Sequence, residues 1–222
     1  MEMRTVFHKK LRDIQDDILA MGSMVSKALL RSIDALKNRD LNLAHQIIAD
    51  DQMVNGKRFE IEEKCIELIA TQQPMASDLR IIIAILNITT EIERIGDYAE
   101  GIAKITIMIG DEPPLKPLID IPRMAEQTVD MLRRSLDAFI NRDAEAAKKI
   151  SDEDDLIDHL YDQVFRELLT FMAEDPRTIT RATRLIWVAH NLERAADRVT
   201  NICERVVFIV TGKMGEMGAS KY

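Results

Sequence analysis

The sequence predicts an all-α protein: two tandem three-helix bundles related by an internal duplication and a pseudo-twofold axis. Apolar residues recur at i, i+3, i+4 and i+7 over long tracts, which is the period of an amphipathic helix. The six prolines fall between these tracts, as expected when a proline inside a helix costs about 3 kcal/mol. The two halves of the chain also repeat each other, and aromatic residues make up only 5% of it, which favours helix packing over strands.

The periodic tracts predict six long helices, antiparallel because the connections between them are short. These helices cover residues 4–38, 40–71, 75–109, 120–141, 143–173 and 177–211. One linker-like stretch, residues 110–117, contains three of the six prolines and divides the chain. We therefore expect one bundle at residues 1–110 and a second at residues 118–212, followed by a frayed, glycine-containing tail.

The repeat is visible at a constant offset. A shift of 103 residues places residues 31–51 on residues 134–154, and ten of those 21 positions are identical. Both segments contain an Asn-Arg-Asp triplet, and Asp40 and Asp143 at its end are predicted N-caps of the following helices. A repeat of this length indicates a duplicated domain, since solenoid units are about 20–50 residues long.

Charge and hydropathy narrow the classes of function. The net charge is −8 and the isoelectric point about 5.1, which disfavours binding to nucleic acid. No apolar run approaches the roughly 20 residues that a membrane span needs, and the N-terminus lacks a signal sequence. Cys65 and Cys203 are expected to be buried, reduced thiols. The sequence predicts a cytoplasmic protein that reaches a membrane only through partners.

A line of residues along the third predicted helix changes from aliphatic to acidic. Its members, alternately four and three residues apart, are Leu79, Ile83, Leu86, Thr90, Glu93 and Asp97. The sixth predicted helix repeats the change with Thr183, Ile186, His190, Glu193 and Asp197. We expect both lines to face neighbouring helices. A Glu and an Asp four residues apart lie on one helix face and could share a cation.

The second helix of each half adds further oxygen ligands at four-residue spacing. They are Asp51 and Asn55 in the first half, and Asp154, Asp158 and Asp162 in the second. Such hard oxygen ligands suit Mg²⁺, Mn²⁺ or iron. The competing interpretation is that Arg94 and Arg194 pair with Asp97 and Asp197 within the helix, without a metal. Arg80 is likewise expected to pair with nearby acids.

Catalytic motifs are not recognised in this sequence. It has no glycine-rich phosphate loop and no nucleophile beside a histidine base, so we expect a protein without enzymatic activity. His190 and Glu193 have the reverse order of the Glu-x-x-His pairs of di-iron bundles, and the first half has Thr90 in place of the histidine. A carboxylate-bridged metallo-oxidase is therefore kept only as a further alternative.

Several motifs together resemble the PhoU family of phosphate-transport regulators. They are Met21-Gly22, Gln73-Pro74, Asp78-Leu79-Arg80 and the duplicated Glu-Arg-x-x-Asp of Glu93-Asp97 and Glu193-Asp197. The resemblance implies cytoplasmic homodimers that negatively regulate phosphate uptake and the phosphate-starvation response. It implies two partners: the ATPase of the phosphate ABC transporter and a sensor histidine kinase. A metal-free helical adaptor with the same partners is the alternative.

The resemblance also implies metal ligands, with iron, zinc, manganese or magnesium as the metal. The matching residues are Glu93, Asp97, Glu193 and Asp197, with Asp51, Asp154 and Asp158 as additional candidates. Gly101 stands where the second half has Asn201 and where the family often has asparagine. His190 has no counterpart in the first half. The two sites are therefore not expected to bind alike.

Overall fold

A computed structural model describes residues 2–213 and 215, which are almost entirely helical. The α-helices are α1 (Glu2–Asn38), α2 (Leu41–Gln72), α3 (Ser77–Ile109), α4 (Asp120–Asn141), α5 (Ala144–Asp152), α6 (Asp154–Glu174) and α7 (Ile179–Thr211). A 3-10 turn, Pro176–Thr178, precedes α7. The tail that was expected to fray lies outside the described residues, apart from 212, 213 and 215.

The predicted fold class is confirmed. Helices α1–α3 form one three-helix bundle. In the other bundle, α5 and α6 together take the place of the middle helix between α4 and α7. The bundles meet where α3 packs on α7 and α1 packs on α4, while α2 and α6 lie on the outside. α3 and α7 are antiparallel, because Tyr98 contacts Arg194 whereas Arg80, nearer the start of α3, reaches Ile209 near the end of α7. One continuous apolar cluster extends through both bundles. The division into domains at residues 110 and 118 stays a prediction.

One predicted helix, residues 143–173, is wrong in detail because it is divided at Glu153. The Glu153 backbone N–H bonds to the carbonyl of Ile150, three residues back, at 3.1 Å, which tightens the chain into a turn. The Glu153 carboxylate is held by α4: Arg134 Nη1 donates to it at 2.7 Å and Gln127 Nε2 at 3.1 Å. The matching pair of the first half is Arg31 and Asp50, at 2.9 Å, yet α2 is unbroken there, so this ion pair alone does not explain the break. The local sequence has no proline or glycine there to predict it.

The repeated Asn-Arg-Asp turns form as predicted. Arg39 and Arg142 adopt the left-handed conformation, with φ of 57° and 54°, and end α1 and α4. Asp40 and Asp143 follow, and each carboxylate accepts a backbone N–H from the first turn of the next helix at 2.9 Å. These bonds satisfy amides that have no partner within the helix.

Replacing Asp143 by alanine is expected to lower the free energy of unfolding by about 1 kcal/mol, since a capping oxygen is lost. Chemical denaturation monitored by circular dichroism measures the change. Asp143→Asn is the matched control, because asparagine retains a capping oxygen and should stay within a few tenths of a kcal/mol. An equal loss in both variants would show that the charge, and not the cap, stabilises α5.

The acidic line of α3 faces α2, as expected, since Glu93 bonds to Arg58 of α2, but it lies at the edge of the buried face and not at its centre. The buried face of α3 is formed by a neighbouring set of residues: Ile81, Ile82, Ile85, Ile88, Ile92, Ile95, Ala99 and Ile102. Ile83 is 39% exposed, and Asp97 is exposed. A half-exposed line at the edge of the helix keeps the carboxylates near water, which avoids the large penalty of burying unpaired charge.

Among residues 2–213 and 215, Arg80 has no acidic partner, contrary to the expected ion pair. Its guanidinium lies 5.7 Å from the ring centroid of Phe208, and Nη1 is 3.5 Å from the carbonyl oxygen of Ile209. Arg80 also packs against Gly212, which has φ of +73° and ends α7. The positive charge therefore lies at the C-terminus of a helix, where the helix dipole favours it, and links the start of α3 to the end of α7.

The described helices include none that combines the length and the hydropathy required to span a bilayer.

Candidate functional site: two acidic clusters

The acidic residues singled out in the sequence form one group in each half, on the outer edge between two helices. The first acidic cluster, between α2 and α3, comprises Asp51, Asn55, Arg58, Glu93 and Asp97. The second acidic cluster, between α6 and α7, comprises Asp154, Asp158, Tyr161, Glu193 and Asp197. In both clusters the acids are close enough for the charge on one to raise the pKa of another. The structure therefore brings the predicted ligands of each half together.

In the first acidic cluster the protein supplies its own positive charge. Arg58 Nη1 donates to Glu93 Oε1 at 2.8 Å, and Arg58 Nε donates to Glu62 Oε1 at 3.0 Å. Asn55 Nδ2 donates to Asp51 Oδ2 at 2.8 Å. Glu93 and Asp51 are thus already hydrogen-bonded by donors on α2.

Asp51 and Asp97 nevertheless have raised pKa values. For Asp51 the main cause is burial, followed by the charges of Asp97 and Glu100. Burial also raises the pKa of Asp97, with Glu100 adding to it and Lys104 opposing it. The carboxylates therefore repel one another despite the presence of Arg58.

Among the described residues, no side chain donates a hydrogen bond to the carboxylates of the second acidic cluster. Burial, and then the charges of Asp158 and Asp197, raise the pKa of Asp154 to about 7. Burial and the same two charges raise the pKa of Glu193 to about 7. Asp154 Oδ1 and Glu193 Oε2 are both buried without a hydrogen-bond partner. Unpaired buried carboxylate oxygens are costly, so this cluster is electrostatically uncompensated.

His190 stands beside the second acidic cluster but does not neutralise it. Its Nδ1 lies 3.3 Å from Glu193 Oε2, yet the direction is not that of a hydrogen bond, since this oxygen has no partner. Burial and the nearby charge of Arg194 lower the pKa of His190. The imidazole is therefore mainly neutral at pH 7. Its ring also packs near Tyr161, with 6.0 Å between the two ring centroids.

The intrahelical ion pairs suggested as the alternative to metal are not formed. In the part of the chain that the structure describes, neither Arg94 and Asp97 nor Arg194 and Asp197 approach within 4 Å. Arg194 instead donates from Nε to the Tyr98 hydroxyl at 3.0 Å and lies over the Tyr98 ring. Arg194 thus joins α7 to α3, and its charge lowers the pKa of Asp197 only from a distance.

Sequence reasoning missed Arg58 and Glu100 as members of the first site. Arg58 is seven residues after Asp51, and Glu100 is seven after Glu93, so both lie on the acidic face of their helix. That spacing was the available signal. Asp162, which sequence reasoning included, is instead paired with Arg166 at 3.0 Å on the surface.

The chemistry of the second acidic cluster fits a hard cation. It has four carboxylates, two orphaned buried oxygens and no arginine or lysine bound to them, and Mg²⁺ and Mn²⁺ prefer oxygen ligands. Within residues 2–213 and 215, no three His, Cys, Asp or Glu side chains are arranged to hold a metal ion as they stand. Metal ligation by these residues thus stays a prediction.

The fold and the clusters define a class: duplicated three-helix-bundle proteins with one acidic cluster in each half. The chain belongs to the PhoU family, because the PhoU domain model matches residues 18–106 and 121–206. The two matched segments lie one in each half and carry the repeated motifs.

Relatives and solved structures agree with this assignment. The phosphate-specific transport system accessory protein PhoU homolog of Clostridium acetobutylicum is 37% identical over 215 residues, covering 96% of this chain and 98% of that protein. The phosphate-specific transport system accessory protein PhoU of Escherichia coli K12 is 36% identical, covering 93% of this chain and 86% of that protein. The crystal structure of PhoU from Pseudomonas aeruginosa superimposes with a TM-score of 0.87 at 36% identity, covering 93% of this chain and all of that one. A crystal structure of the phosphate transport system regulatory protein PhoU from Streptococcus pneumoniae superimposes with a TM-score of 0.88 at 30% identity, covering 94% of this chain and 99% of that one.

Proposed function

We propose that this protein is a cytoplasmic negative regulator of phosphate uptake and of the phosphate-starvation response. The observation that carries the proposal is similarity over nearly the whole chain to proteins named as accessory to phosphate-specific transport. The proposed role is not enzymatic. It operates through contact with the ATPase of the phosphate ABC transporter and with a sensor histidine kinase.

The shape of the molecule supports action by contact. Long helix faces are suitable surfaces for partner proteins, and α2 and α7 each present large apolar side chains to solvent. Phe59 and Ile66 on α2 are 55% and 63% exposed, and Trp187 on α7 is 49% exposed. The proposed assembly also includes a homodimer, which sedimentation would report as twice the 25.3 kDa of one chain.

The acidic clusters are the proposed point of control. A bound divalent cation would supply positive charge between the second and third helices of a bundle. Asp154 and Asp158 on α6, with Glu193 and Asp197 on α7, would hold it through their carboxylate oxygens. Because α7 also packs on α3, fixing α6 against α7 would make the outer surface near the cluster more rigid for a partner. Iron and zinc remain candidates beside manganese and magnesium.

Deleting the gene tests the regulatory role. The deletion strain is expected to express alkaline phosphatase and to take up phosphate in phosphate-rich medium, because a negative regulator is missing. Reintroducing the native gene should restore repression. Repression that survives the deletion would contradict the proposal.

Complementation with altered genes separates metal control from the metal-free adaptor. Asp97→Asn combined with Asp197→Asn is expected to leave the starvation genes derepressed, and Asp155→Asn, an exposed neighbour, serves as the control. Full repression by the double variant would favour the adaptor.

A further inference from the structure

The two acidic clusters differ at two of their five matched positions. The offset of 103 residues pairs Asp51 with Asp154, Asn55 with Asp158, and Arg58 with Tyr161; the offset of 100 residues pairs Glu93 with Glu193 and Asp97 with Asp197. At these five matched positions the first cluster has three carboxylates and a guanidinium, and the second has four carboxylates and an uncharged phenol. The two substitutions make these positions of the second cluster two charges more negative, which Glu100 beside the first cluster, paired with Lys104 at 2.6 Å, partly offsets.

Arg58 is held firmly in place in the first cluster. Its guanidinium bonds to Glu93 across the helix interface and to Glu62 on its own helix, and it lies 5.1 Å from the centroid of the Phe59 ring. The Glu93 side chain is only 13% exposed, so this ion pair is partly shielded from water. Arginine stays protonated at any physiological pH, and so the positive charge is permanent.

Tyr161 occupies the same place in the second cluster and carries no charge. Its ring contacts His190 and Phe165, with centroid separations of 6.0 Å and 6.2 Å. Glu193, the counterpart of Glu93, therefore has no cationic donor, and its Oε2 is one of the two orphaned buried oxygens. Arg194 and Arg198 act on Glu193 without a hydrogen bond to it, so no cation takes the bonded position that Arg58 has in the first half.

We propose that Arg58 is a built-in counter-cation that takes the place of a metal ion in the first acidic cluster, so that divalent cations bind only at the second. The inference rests on the proposed role of the acidic motifs as a metal site and names the residue pair, Arg58 and Tyr161, that decides between the halves. A divalent ion entering the first cluster would meet a fixed positive charge a few ångströms away and would compete with it for Glu93.

The test measures Mn²⁺ binding by isothermal titration calorimetry and by elemental analysis after desalting, using chelator-treated full-length protein. Asp154→Asn with Glu193→Gln should weaken Mn²⁺ binding by at least about 10–100-fold, since that is the loss when only a group that hydrogen-bonds to a metal ligand is removed. The matched change in the first half, Asp51→Asn with Glu93→Gln, should leave binding within about twofold of native, a change well below that range.

Two exchanges of the deciding residue sharpen the test, because they leave every carboxylate of the native site in place. Tyr161→Arg should abolish Mn²⁺ binding at the second cluster. Arg58→Tyr with Asn55→Asp, which copies the second cluster into the first, should add Mn²⁺ binding beyond that of native protein. Circular dichroism on each variant verifies that the helices remain folded.

Three results would overturn the inference. They are equal losses from the two matched double variants, native-like binding by Tyr161→Arg, and no gain from the Arg58→Tyr, Asn55→Asp variant. Native protein that binds no Mn²⁺ would overturn it together with the proposed metal control. The regulatory role itself is tested separately by the deletion strain, so failure here and failure there are distinguishable.

Discussion

Replacing Phe139 by alanine is expected to lower the free energy of unfolding by about 3–5 kcal/mol, the usual effect of truncating a buried phenylalanine. Phe139, on α4, is the largest fully buried side chain among the described residues and is 1% exposed. It belongs to the apolar cluster that extends through both bundles. The loss combines the transfer free energy of the ring with the cavity that the surrounding helices cannot fill.

Urea denaturation of native and variant protein measures this effect as a change in midpoint at constant m-value. Phe165→Ala is the matched control, because Phe165 on α6 is 37% exposed and its truncation should cost only about 1–2 kcal/mol, in keeping with partial burial. Similar losses from the two variants would contradict the position assigned to Phe139 in the core.

Replacing Asp154 by asparagine is expected to stabilise the metal-free protein at pH 8 by about 1–3 kcal/mol and to have little effect near pH 4. The pKa of Asp154 rises from 3.8 to about 7 on folding, mainly through burial and then through neighbouring carboxylates. A raised pKa in an acid means that the folded state binds the proton more tightly. Native stability is therefore lost as pH rises from about 4 to about 7, and it stays reduced above that range.

The size of this effect is smaller than the full shift implies at about 1.4 kcal/mol per pKa unit, because the side chain is partly solvated. Thermal unfolding in the presence of EDTA, recorded at pH 4, 6 and 8, measures the difference between native and variant. Asp155→Asn is the control, since Asp155 is the exposed neighbour in the same turn of α6. A variant less stable than native at pH 8 would contradict the prediction.

The ends of helices were predictable where residues next to them in sequence, such as capping aspartates, determine them. The Asn-Arg-Asp turns were located from the repeat, and Asp40 and Asp143 cap α2 and α5 because a short carboxylate can reach amides of the next turn. The break at Glu153 was not predictable in this way. The residues around it include no proline or glycine, and the matching stretch of the first half is an unbroken part of α2.

The sequence by itself determined the all-α class, the duplication, the repeated turns and the grouping of acids on matching helix faces. Each of these follows from periodicity or from neighbours a few residues apart, which the chain specifies directly. Only the tertiary structure decided which charges have partners. Arg94 and Arg194 are close in sequence to the acids, yet the cation that contacts Glu93 is Arg58 from α2, and Arg194 turns to Tyr98 on α3. These partners depend on the register in which separate helices pack, because a side chain on one helix reaches whatever group the neighbouring helix places opposite it.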